Sequence, residues 1–78
     1  MRNEFSVCVF FPDGSHHYVC RFVGAEEAVR SFNFHTNNVA AKHGITRRVI
    51  LTDGGDCTNL EWAFGKGMTY DGKEERER

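Results

Sequence analysis

Residues 10–20, FFPDGSHHYVC, gather two histidines and a cysteine directly after a tight-turn signal. Imidazoles and thiols bind transition metals and carry nucleophilic or redox chemistry, so these side chains are the first candidates for a site. Their spacing argues against a metal. His16 and His17 are neighbours in a strand-like run, and successive strand side chains leave on opposite faces. In a regular strand His16 and Cys20 share a face, but four residues hold them about 13 Å apart. Zinc bonds of about 2.0–2.3 Å do not close that gap without a third element. No C-x-x-C or H-x-x-x-H pair occurs, and His35 and His43 stand two helical turns apart.

The cysteines are Cys8, Cys20 and Cys57, an odd number without framework spacing. Cys8 and Cys20 are expected diagonally on one sheet face, about 7–8 Å apart and beyond normal disulfide reach. Cys57 follows Asp56, whose charge would raise a nearby thiol's pKa rather than activate it. All three read as small buried hydrophobes. The turn Asp53-Gly54-Gly55-Asp56 lacks the alternating oxygen ligands of a calcium loop, and a strand rather than a helix follows it, which excludes a phosphate cradle. No catalytic residue, metal site or cofactor is therefore assigned, and no family fingerprint is matched.

Two binding surfaces compete. Arg30, Asn33 and Asn37 project from the polar side of a helix, with Arg47 and Arg48 near its end; Arg and Asn suit base edges and phosphates. Against nucleic acid stand Glu26 and Glu27 on the same helix and a net charge of −1, from ten basic and eleven acidic residues. The other surface is apolar. Phe5, Val7 and Val9 emerge from one side of the first strand while Cys8 and Phe10 emerge from the other, and Phe34 lies off the helix's apolar stripe. Single-layer sheets normally alternate to polar residues on their wet side. A second copy of the chain is the expected cover, making Phe5, Val7, Val9 and Phe34 candidate interface residues.

These side chains must be held by few elements, because 78 residues make one small domain near the lower limit for a single core. Residues 5–11 and 16–23 form a hairpin about Pro12-Asp13-Gly14, most simply a type I turn with a glycine bulge. Gly24 caps a helix over residues 25–43, about 28 Å long, with Ala25, Ala28, Val29, Phe32, Thr36, Val39 and Ala40 along its stripe. Gly44 stops it in a Schellman motif with Ile45. Residues 45–52 and 57–64 form a second hairpin, in a register that sets Arg48 opposite Glu61 and Arg47 opposite Trp62.

The expected fold is α+β, ββαββ, a four-stranded, mostly antiparallel sheet with one helix across a face and a parallel crossover between strands two and three. The domain spans residues 1–65, and residues 66–78 read as a polar, disordered tail. No apolar run reaches membrane-spanning length, and no leader signature precedes the first strand, so a reducing cytoplasm is the expected home. The functional expectation is a small non-catalytic interaction protein, a homodimer, with nucleic-acid binding through the polar helix face as the alternative.

Overall fold

The computed structural model describes residues 4–53 and 58–71. Its elements are β1 (Phe5–Phe10), β2 (His16–Val23), α1 (Ala25–Asn37), α2 (Val39–Lys42), β3 (Arg48–Thr52), β4 (Thr58–Ala63) and β5 (Gly67–Asp71). The strands form one sheet in the order β2-β1-β3-β4-β5, every neighbouring pair antiparallel. The class is α+β as expected, with five strands rather than four.

The first turn follows its residues closely. The Gly14 N–H donates to the Phe11 carbonyl at 3.0 Å, and Gly14 takes φ +91°, the left-handed conformation a side chain resists. Asp13 Oδ1 accepts from the Ser15 N–H and hydroxyl at 2.9 and 2.6 Å, and these bonds hold its carboxyl below the usual range. The bulged turn pairs Phe10 with His16, Val9 with His17 and Cys8 with Tyr18. Beyond that the register slips twice, to Val7 with Cys20 and Phe5 with Val23. Each slip adds a residue to β2, and each extra residue reverses which side the next side chain takes.

Helix α1 lies over β1, β2 and β3. Ala28 and Phe32 meet Val7, Val9, Val49 and Leu51 beneath it, and Phe5, Val19, Cys20, Val23, Leu60 and Trp62 pack around this centre. The helix divides where a single one is expected. Thr36 Oγ1 and Asn37 Nδ2 both donate to the Asn33 carbonyl, competing with the backbone ladder, and Asn38 takes ψ −180°. Asn38 then caps α2, its Oδ1 accepting from the Ala41 N–H at 2.9 Å. After the break, Val39 turns outward and is 69% exposed instead of extending the stripe. The stop at Gly44 is a Schellman motif: the Ile45 N–H donates to the Ala40 carbonyl and the Gly44 N–H to the Ala41 carbonyl.

Strand β3 begins at Arg48, so Ile45 is solvent-exposed and not a core strand residue. Strands β2 and β3 do run the same way, but β1 sits between them and no parallel pair forms. The β3–β4 register is two residues from the expected one, pairing Val49 with Trp62 and Leu51 with Leu60. A slip of two preserves the faces, so the inward set survives except for Ile45 and Phe64, which is exposed. The Gly65-Lys66-Gly67 stretch turns the chain into β5, with the Lys66 N–H donating to the Ala63 carbonyl at 3.0 Å. Strand β5 thus carries the sheet past residue 65, into what reads as tail. Residues 72–78 lie outside the described residues, as do Gly54, Gly55, Asp56 and Cys57 of the second turn.

Candidate binding surfaces

The two register slips in β2 decide where the chemically interesting side chains go. His16 and Tyr18 leave the side of the sheet turned away from α1, across from Phe10 and Cys8. Cys20, past the first slip, stands opposite Val7 and packs against the core. His16 and Cys20 therefore do not share a face, and neither do Cys8 and Cys20. Both thiols are free. Cys8 is 6% exposed, and burial pushes its thiol pKa up, partly offset by a backbone hydrogen bond involving His17. Among the described residues, no three His, Cys, Asp or Glu side chains are grouped to hold a metal ion.

The side of the sheet away from α1 carries a continuous row of rings and guanidinium groups. Arg48 Cζ lies 5.3 Å from the Phe10 centroid, and Phe10 lies 5.5 Å from the His16 ring. The His16 ring meets Tyr18 edge-on at 6.0 Å, and Arg21 Cζ sits 4.6 Å from the Tyr18 centroid. Arg48 Nε also donates to Glu61 Oε2 at 2.5 Å, the ion pair expected from sequence, reached diagonally because Arg48 is paired with Ala63 and Glu61 with Ile50. Cys8 and Ile50 lie next to each other in the middle of this face. Among the described residues no helix or strand is stacked on it.

Of the candidate interface residues, Val7 and Val9 are 0% and 4% exposed beneath α1, and Phe5 packs partly buried beside them. They belong to the core, because α1 covers that side of the hairpin. Phe34 alone remains available, 62% exposed on α1. It lines a shallow surface concavity with Glu27, Arg30 and Ser31, and its ring meets His35 edge-on at 5.0 Å. Partial burial lowers the His35 pKa.

The candidate nucleic-acid residues are not brought together. Arg30, Asn33 and Asn37 are exposed on α1, but the Asn37 amide is committed to the Asn33 carbonyl at 2.8 Å. Arg48 points to the other side of the sheet, onto Phe10. Arg47 places its guanidinium 5.1 Å from the Phe64 ring, and not on Trp62, because the β3–β4 register is shifted by two residues. Sequence reasoning missed the Arg48–Phe10–His16–Tyr18–Arg21 row as a unit. The bulged turn already groups Phe10 with Tyr18, but Arg21 joins them only through the slips in β2. No described helix is long and apolar enough to cross a membrane. No family model, no curated protein and no solved structure matches this chain.

Proposed function

We propose that this chain is a small, non-catalytic cytoplasmic binding protein that pairs with a second copy of itself along the outer flank of α1. The observation that carries this reading is Phe34, 62% exposed in a stripe with Glu27, Arg30 and Ser31. The stripe has i, i+3, i+4, i+7 spacing, so its members share one flank. In an antiparallel two-fold crossing centred near Arg30 and Ser31, each Phe34 ring enters the other copy's concavity. The partner's Arg30 then meets the ring, and its Ser31 is small enough to allow close approach. Phe34 is 62% exposed before pairing, so covering both rings is worth about 2–4 kcal/mol. That is comparable to the low end of the cost of association, which makes the dimer weak and concentration-dependent.

The non-catalytic part is supported by the separation of His16 from Cys20 and by the burial of Cys8, which leave no nucleophile beside a base in this group. Two free thiols on opposite sides of the sheet fit a reducing compartment. Sedimentation equilibrium across micromolar to millimolar concentration tests the dimer. The wild type should move from monomer to dimer, and Phe34→Ser should remain monomeric with an unchanged circular dichroism spectrum. A wild type that stays monomeric throughout, or a Phe34→Ser protein that dimerises equally well, would refute the assignment.

A further inference from the structure

We infer that the row formed by Arg48, Phe10, His16, Tyr18 and Arg21 is a binding platform for single-stranded nucleic acid. It lies on the opposite side of the sheet from α1, so it is independent of the dimer assigned to the helix flank. Two independent features carry the inference.

The first is stacking. Single-strand binders present successive flat side chains on which bases stack, because every base has a π-face. Here three aromatic rings follow one another at 5.5 and 6.0 Å across β1 and β2, and His16 and Tyr18 are exposed. They belong to strands, whose backbone fixes their spacing better than a loop would.

The second is charge. A guanidinium caps each end of the row, on Phe10 through Arg48 and on Tyr18 through Arg21. Both arginines are exposed, and both present a planar cation that can stack on a base or hold a phosphate. Arg21 and Arg48 put two guanidinium groups in the row of a chain whose net charge is −1, and Arg48 is paired with Glu61. A polyanion carrying flat rings matches that arrangement. Duplex DNA does not, because its bases are already stacked and out of reach of a flat sheet. The Arg48–Glu61 ion pair opposes binding, since a phosphate has to compete with the carboxylate for the guanidinium.

The test is fluorescence anisotropy of a labelled oligo(dT) or oligo(U) strand titrated with the full chain between about 50 and 200 mM salt. Two arginines on phosphates give a log–log salt slope of about −1.4, a loss of roughly sevenfold across that range. Tyr18→Ala should weaken binding by about fivefold to a hundredfold, as loss of one stacked base does. Arg21→Ala should weaken it and reduce the salt slope by about 0.7. Glu61→Gln, which releases Arg48 from its ion pair, should tighten it. Tyr18 and Arg21 are exposed, and unchanged circular dichroism spectra separate lost binding from lost folding.

Absence of any anisotropy change at the lowest salt overturns the inference. So does binding that Tyr18→Ala leaves intact, or an equal preference for duplex. Competition by a poly-glutamate peptide as effective as the unlabelled strand would also overturn it, because charge alone would then account for the affinity.

Discussion

Gly44 is the residue at which conformation and packing can be separated quantitatively. It ends α2 at φ +80°, and a Cβ added there would sit 3.2 Å from Phe64 Cζ and 3.3 Å from Cε2. Gly14 also has a positive φ, +91°, but nothing lies within 4 Å of its would-be Cβ. Gly14→Ala therefore meets only the left-handed penalty, about 1 kcal/mol, slightly reduced by the lower entropy of the unfolded alanine chain. Gly44→Ala meets the same penalty plus the displacement of the Phe64 ring. Overpacking costs about 1–3 kcal/mol, and the low end applies because Phe64 is 39% exposed and can swing outward. The expected totals are about 1 kcal/mol for Gly14→Ala and about 2 kcal/mol for Gly44→Ala. In a domain of this size that corresponds to melting temperatures lowered by roughly 4–8 °C and 8–16 °C. Urea unfolding followed by circular dichroism gives both values. Repeating Gly44→Ala in a Phe64→Ala background should bring its cost down to that of Gly14→Ala. Equal costs for the two alanine variants in the wild-type background would refute the packing argument, and a Gly44→Ala protein as stable as wild type would refute both parts.

His35 supplies a pH prediction. Partial burial lowers its pKa, so folding favours the neutral ring. Its unfolded value is about 6.5. The stability linked to neutral His35 is thus fully present above about pH 6.5 and is lost as pH falls through the lower folded value. The urea midpoint of the wild type should fall between pH 7 and 5 more steeply than that of His35→Gln; parallel profiles would contradict this.

The outline of the fold was legible where local chemistry has few solutions. Pro12-Asp13-Gly14 admits a small set of turns, and the bulged one observed is the one whose geometry proline pre-sets. Lys42-His43-Gly44 ends a helix whatever precedes it. What was not legible depends on competition between near-equal alternatives. Thr36, Asn37 and Asn38 are three poor helix formers in a row, a signal that was available, yet the apolar spacing of Thr36, Val39 and Ala40 argued for continuity. The break prevails because each of those side chains finds a backbone partner. Strand β5 is five residues, MTY framed by Gly67 and Asp71, too short for alternation to show. It exists through pairing with β4, which no single segment reveals. The apolar surplus of the first hairpin was real, and its two sides end differently. One side, with Val7 and Val9, is closed by α1, while the other is roofed by tyrosine, phenylalanine and arginine.

That roof depends on an unfavourable backbone conformation, and a substitution at Phe22 exposes the dependence. Phe22 lies in the second slip of β2 with φ +56°, a conformation that costs an L-residue of its size about 1–2 kcal/mol. Its ring gains little in return, being 63% exposed, with the Arg21 guanidinium 5.3 Å from its centroid. Its N–H is fixed by the Ser6 hydroxyl at 3.3 Å. The irregularity serves the neighbours: it lets Arg21 lie over Tyr18 while Val23 turns back to the core opposite Phe5. Asparagine tolerates the left-handed region and keeps the N–H. Phe22→Asn should therefore leave stability unchanged or raise it by about 0.5–1 kcal/mol, where a buried Phe truncated to Ala would lose about 3–5 kcal/mol. Urea unfolding measures this directly. A loss above about 2 kcal/mol would mean that the Phe22 ring is itself a structural anchor, and that the slip exists to place phenylalanine rather than Arg21.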